Sequence, residues 1–191
     1  MRTDDGFVHA WTLDAELDHA MWRDLHAQLI AVLRAASLEL ERSRPDDALA
    51  MLRGPNGFGG LAIDADTIAF NGNAFLGQAG DAFSIERVSR AGNIARVGSL
   101  GRRRSVRRCD TRGNPYDLAV SACLLVLLQT LGDAVRVGTS GTLKSGWGRA
   151  ATLVRETLAS RGQLVQLENG LLRWMDAPRS SGSGRILSSA S

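Results

Sequence analysis

The sequence predicts an α+β fold in which a long N-terminal helix, a central buried helix and one further helix pack on an antiparallel or mixed sheet of short strands. Three observations point to it. Apolar residues first recur at helical spacing, short apolar runs separated by turn residues follow, and a nearly unbroken apolar run comes later. With 191 residues, 44% of them hydrophobic, the chain suits one domain. We expect that domain to span 1–175, with a disordered Ser/Gly/Arg-rich tail over 176–191.

The first helix is expected to begin near Thr12, a residue type that caps helices well, and to end before Pro45. Residues 1–11 are expected to be loose. The buried stripe of this helix follows the 3.6-residue period: Leu17, Met21, Leu25, Leu29, Val32, Ala36 and Leu40.

Short strands are predicted after this helix. The runs 61–63 and 67–70 form a hairpin whose turn contains Asp64 and Asp66, which we interpret as turn residues rather than metal ligands. A strand at about 82–88 and another near 104–109 come next.

The clearest local signal marks the start of the central helix. Asn114 is a good N-cap, Pro115 favours the first helical position, and Asp117 can bond back to the cap. The helix runs to about Leu131 and ends at Gly132. Since it is apolar on most sides, we expect it to be buried.

The rest of the chain adds one strand, one helix and a hairpin. The strand spans 134–137, and the hairpin joins 163–167 to 171–174. Between them, Trp147, Ala151, Val154 and Leu158 form a helical stripe.

The apolar run 118–131 is shorter than the roughly 18–20 residues that a membrane span needs. The acidic first 25 residues contain no signal-peptide pattern. The two cysteines are too few for a disulfide framework, so the sequence predicts a soluble cytoplasmic protein in a reducing compartment.

Charge is distributed unevenly along the chain. Residues 1–70 contain 6 Arg and 12 Asp/Glu, whereas residues 71–191 contain 17 Lys/Arg and 8 Asp/Glu. The densest basic segment holds seven arginines within 17 residues: Arg96, Arg102, Arg103, Arg104, Arg107, Arg108 and Arg112. This asymmetry favours contact with a polyanion or self-association.

The basic strand is expected to be an edge or a protruding ribbon, because burying a lone guanidinium costs several kcal/mol. Its alternation places Arg102, Arg104 and Arg108 on one side and Arg103 and Arg107 on the other. Such a ribbon can follow a phosphate backbone. The alternative is a charged edge that prevents aggregation.

The loop 138–146 follows a predicted strand and precedes a helix. Gly138, Lys144 and Ser145 match the phosphate-binding pattern of P-loop nucleotide hydrolases, which this stretch resembles over eight residues. Leu143 stands where that pattern requires glycine. We therefore expect at most an anion held by backbone N–H groups and Lys144.

Cys109 lies among Arg107, Arg108 and Arg112, just before a helix. Positive charge and a helix N-terminus would lower its pKa and make it reactive. The histidines His9, His19 and His26 all lie far upstream, and we interpret the last two as helix-boundary residues. An enzyme that uses Cys109 with Asp110 or Asp117 is therefore the third hypothesis.

The leading hypothesis is a non-enzymatic protein that contacts nucleic-acid phosphates. Its binding residues would be Arg102, Arg103, Arg104, Arg107, Arg108, Arg112 and Lys144. The second hypothesis is a protein–protein interaction or structural subunit, with self-assembly into a homo-oligomer as one version of it. We predict no cofactor, no metal, no catalytic residue and no membrane partner.

Overall fold

A computed structural model describes residues 7–14, 16–43, 52–88, 94–97, 102–140, 146–167 and 171–175, and the side chains of all of these except Asp14, 94–97 and 102–105. The predicted tail and Lys144 lie outside these residues. The described chain has the expected α+β fold, with antiparallel sheets and three α-helices: α1 (His19–Ser43), α2 (Asp117–Leu131) and α3 (Trp147–Leu158). The strands are β1 (Val8–Asp14), β2 (Leu52–Arg53), β3 (Ala62–Ile63), β4 (Thr67–Gly72), β5 (Phe83–Glu86), β6 (Ile94–Val97), β7 (Arg102–Asp110), β8 (Val135–Thr139), β9 (Gln163–Gln166) and β10 (Leu171–Met175).

Six strands form the larger sheet, in the order β6-β7-β1-β8-β10-β9. β1 lies inside it, antiparallel to β7 on one side and to β8 on the other. Its register places His9 opposite both Cys109 and Thr139. The smaller sheet is formed by β2, β4 and β3, with β5 also pairing with β4.

The core surrounds α2, of which 13 of 15 residues are buried. This helix contacts α1, α3, β8 and β10. The buried residues of both sheets and all three helices form a single apolar cluster. The prediction of a central buried helix is therefore confirmed.

One window in the described residues, Asp117–Ala134, is long and apolar enough to cross a membrane by length and composition. However, 72% of that window is buried inside the fold, and the core helix of a soluble protein passes the same test. The burial is consistent with a soluble protein.

The predicted start of the first helix is wrong. Thr12 lies within β1, and residues 8–11, which we expected to be loose, belong to this interior strand. The helix begins at His19, where the Asp18 side chain accepts a hydrogen bond from the backbone N of Met21 at 2.8 Å. Asp18 thus satisfies one of the donors that the first turn of a helix leaves free.

The predicted capping box of α2 is also wrong. The structure starts this helix at Asp117, after a turn in which the backbone N of Asp117 donates to the carbonyl of Asn114. The Asn114 side chain instead donates to the carbonyl of Ala79 at 3.4 Å. The Asp117 side chain instead accepts hydrogen bonds from His9 in β1 and from Thr111, the residue after β7. Tertiary contacts therefore replace the local cap.

Most of the remaining elements lie near their expected positions, whereas β2 and β6 are not among the predicted strands. The hairpin of β3 and β4, the strands β5, β7 and β8, the helix α3 and the hairpin of β9 and β10 all lie within a few residues of their expected positions. Within the turn of the first hairpin, Asp64 accepts from the backbone N of Asp66 at 2.9 Å, which confirms its role as a turn residue.

Candidate nucleic-acid interface

The two faces of the larger sheet differ sharply in environment. On the inner face, His9, Trp11 and Leu13 of β1 are buried. The smaller sheet covers part of this face, where Trp11 stacks on Phe83 with ring centroids 5.1 Å apart. On the outer face, Ala10 is exposed between the buried residues of the same strand. The outer face is therefore the side of the sheet that is open to solvent.

Three exposed arginines occupy this open side. They are Arg108 in β7, Arg136 in β8 and Arg173 in β10, and we call them the outer arginines. Arg108 lies opposite Ala10, which in turn lies opposite Gly138, two residues along β8 from Arg136. Adjacent strands are about 4.8 Å apart, so these arginines form a diagonal row across neighbouring strands.

The outer arginines are weakly neutralised. Arg173 lies 3.5 Å from Asp133, whose side chain is 98% exposed. An exposed pair of this kind contributes little energy. Within the described part of the chain, Arg108 and Arg136 have no ion-pair partner. The row thus keeps most of its positive charge available to a ligand.

Arg107 lies on the inner face and is already paired. It donates to Glu86 at 2.9 Å and to Ser84 at 3.3 Å, and its side chain is 15% exposed. The alternation predicted for the basic strand is confirmed at 107 and 108, because neighbouring arginines lie on opposite faces. However, the pairing with β5 leaves Arg107 unsuited to contacting a ligand.

The other predicted binding residues are placed less fully. Arg112 is exposed in the turn after β7, with a positive φ of 55°. The backbones of Arg102, Arg103 and Arg104 belong to β7, but their side chains are not among those described. Because alternate residues of a strand lie on the same face, positions 102 and 104 lie on the same face of β7 as position 108.

β7 is an edge strand over only part of its length. It pairs with β1 from Arg104 to Asp110 and with β6 from Arg102 to Ser105. Arg102 and Arg103 therefore extend beyond the end of β1, in the β6–β7 hairpin alone. Past Ser105 the free side of β7 meets Asp81, which accepts from the backbone N of Asp110 at 3.0 Å. The expected protruding ribbon corresponds to the first residues of this strand.

Sequence reasoning missed Arg136 and Arg173 because they lie outside the arginine-dense segment. A signal was present at both positions. Each arginine stands between apolar residues in a short strand, as in Val135-Arg136-Val137. In a strand with one buried face, such a charged residue points to solvent.

A buried polar cluster lies at the N-terminal end of α2, below the sheet. Asp117 accepts a hydrogen bond from Nε2 of His9 at 2.8 Å, and the hydroxyl of Thr111 donates to the same oxygen. The His9 ring meets Trp147 edge-on, with centroids 5.3 Å apart. His9 is 0% exposed and the Asp117 side chain is 11% exposed, so the cluster links β1, α2 and α3 from a largely buried position.

Cys109 borders this cluster as a buried thiol. It is 0% exposed and donates to the carbonyl of Asp81 at 3.3 Å. Burial, together with the nearby carboxylates of Asp81 and Asp117, raises its pKa to about 12. The expected lowering of this pKa is wrong, because the neighbouring arginines lie on the other face or pair elsewhere. The geometry therefore disfavours a thiolate nucleophile at this position.

The loop after β8 is described at its two ends only, and residues 141–145 lie outside the described chain. At one end, Ser140 exchanges two hydrogen bonds with Val8. At the other, an ideal Cβ built on Gly146 would lie 3.4 Å from the second carboxylate oxygen of Asp117. The start of α3 thus already has an anionic group beside it, supplied by the protein itself.

Comparison with known proteins adds no assignment to this geometry: no family model, no curated protein and no solved structure matches the chain.

Proposed function

We propose that this protein binds the phosphates of nucleic acid through the open face of its larger sheet. The observation that carries the proposal is the row of outer arginines, Arg108, Arg136 and Arg173, on a face that helices and the smaller sheet leave uncovered. Guanidinium groups suit this role because their planar N–H donors bind phosphate oxygens in pairs.

The chemistry of this face favours contacts to the backbone over contacts to bases. Between the arginines lie Ala10, Gly138 and Val106, which are small or aliphatic, and Thr12, whose hydroxyl oxygen is buried, so the described residues between the arginines supply no stacking ring. Binding through such a surface depends on charge and is indifferent to sequence. Arg102, Arg104 and Lys144 remain proposed as further phosphate contacts.

The expected result for the double variant Arg108→Gln/Arg136→Gln is weaker binding and a flatter salt dependence. Each arginine that no longer meets a phosphate reduces the slope of log K against log salt by about 0.7–0.9, so the pair should reduce it by about 1.5. Filter binding of a labelled oligonucleotide across a salt series measures both quantities.

The control is Arg23→Gln, which removes an arginine of α1 whose side chain is 79% exposed, on the helical side of the fold. It should leave both affinity and slope at wild-type values. An affinity that is independent of salt, or an equal weakening in the Arg23 variant, would show that the outer arginines do not form the binding surface.

A second candidate, self-association, is supported by apolar side chains on the same face. Val106 is 47% exposed and Met175 is 50% exposed. A second copy could cover both, although the outer arginines would then face one another and repel. Sedimentation at several concentrations separates the two functions, because only self-association predicts a mass that rises with concentration.

We also propose a cytoplasmic location. Its support is that Cys109 and Cys123 are both free and buried, as expected for structural thiols in a reducing compartment.

A further inference from the structure

A cleft of about 430 Å³ opens beside the outer arginines, between β8 and β10. The two strands pair at Leu171 with Gly138 and at Leu172 with Val137, and their described pairing stops there. Beyond this point the cleft is lined by Leu128 of α2 and by Trp174. Cavities of this volume hold small ligands, and the size suits one nucleobase with its sugar.

The cleft is lined by both apolar and positively charged side chains. Its lining combines the apolar side chains of Leu128, Val135 and Leu172 with an aromatic ring, Trp174. Arg136 and Arg173, two of the three outer arginines, belong to the same lining. The only described acidic group among the lining residues is Asp133, in its exposed pair with Arg173. A ligand with a flat apolar part and more than one negative charge matches this combination.

Trp174 packs directly against Gly162. An ideal Cβ at position 162 would lie 1.9 Å from Nε1 of Trp174, so the indole occupies the space that any other side chain would need. A half-buried ring that already packs against the core loses less conformational entropy when a base stacks on it than a free side chain would. The absence of a side chain at 162 is thus a requirement for the present position of the ring.

We propose that the cleft receives one base of a single-stranded nucleic acid, stacked on Trp174, while Arg136 and Arg173 hold the adjoining phosphates. The inference rests on the proposed function and narrows it from nucleic acid in general to single strands. In a duplex the bases are paired and stacked, and extruding one costs a few kcal/mol. A single strand can place a base in the cleft without that cost.

The test is a tryptophan fluorescence titration of the full chain with an oligothymidylate of about 15 nucleotides, compared with a duplex of equal length. Trp11, Trp22 and Trp147 are at most 3% exposed, so a change caused by stacking reports on Trp174. We expect the single strand to quench the fluorescence and to bind more tightly than the duplex. This readout on the unaltered protein does not depend on the folding of any variant.

Trp174→Leu should weaken single-strand binding by about 5- to 150-fold, the range for removal of one stacking partner. Trp174→Phe should restore most of the affinity, and duplex binding should not change in either variant. Equal, salt-dependent binding of strand and duplex with no quenching would overturn the base site but leave the phosphate surface intact. Salt-independent binding, or none to either ligand, would overturn both.

Discussion

Replacing Asp117 with alanine is expected to lower the free energy of unfolding by about 3–5 kcal/mol, because it removes two buried hydrogen bonds to a carboxylate, each of which contributes about 1.5–3 kcal/mol. The Asp117 side chain is 11% exposed, and it accepts from both His9 and Thr111. Without it, Nε2 of His9 loses its described acceptor, while the Thr111 hydroxyl keeps the carbonyl of Phe7 at 3.2 Å. Since whole domains are stable by about 5–15 kcal/mol, this single change threatens the fold. Urea denaturation followed by circular dichroism measures it.

Asp117→Asn is the matched control, because its carbonyl oxygen can still accept from Nε2 of His9 and from Thr111. We expect it to cost less than half as much as the alanine variant, since neutral hydrogen bonds are about half as strong as charged ones. In a double-mutant cycle with His9→Ala, the two single destabilisations should add to more than that of the double variant. Simple additivity of the two changes would indicate that the His9–Asp117 contact contributes no coupling energy.

The local part of the fold could be predicted from the sequence because its signals are local. The hairpin of β3 and β4 is set by turn residues such as Asp64, and α2 ends at Gly132, whose backbone N donates to Leu128. The start of the chain could not be predicted in this way. β1 is stabilised by β7 and β8, which lie far away along the chain, so the helix-cap signal at Thr12 is overridden by pairing with distant strands.

The candidate site could be predicted only in part for a similar reason. The density of arginines along the chain identifies Arg108. It cannot show that the preceding residue, Arg107, is already paired with Glu86 of β5. The arginine density also does not identify Arg136 and Arg173, because the order of the strands in the sheet places them on the same face as Arg108. The Cys109 environment shows the same limit. The sequence places cations beside the thiol, whereas the fold places Asp81 and Asp117 there.

Alkaline solution is expected to destabilise the fold by about 6 kcal/mol between pH 9 and pH 11. Three buried acids, Cys109, Cys123 and Tyr116, remain protonated in the folded state. Burial raises the pKa of Cys109 to about 12 and raises the pKa values of Cys123 and Tyr116 as well. In the unfolded chain the thiols lose their protons near pH 8.5–9 and the phenol near pH 10.

The sign follows from proton counting. Above about pH 9 the unfolded state binds fewer protons than the folded state, so the free energy of unfolding falls as pH rises, by about 1.4 kcal/mol per pH unit for each thiol. Few other side chains interfere, because the chain has a single lysine and its 22 arginines do not titrate there. Urea denaturation at intervals from pH 7 to pH 11 measures the slope.

The double variant Cys109→Ala/Cys123→Ala separates the thiols from every other alkaline effect. It will be less stable at pH 7, because two buried sulfur atoms are removed from the core. Above pH 9 its free energy of unfolding should fall more slowly, because two fewer groups lose protons on unfolding. The same burial predicts that neither thiol of the folded protein reacts with an alkylating agent at pH 7. Rapid alkylation of Cys109 at that pH would mean that the thiol is accessible, and identical alkaline slopes in the two proteins would mean that folding does not raise the pKa of either thiol. An enzyme that uses Cys109 would then regain physical support.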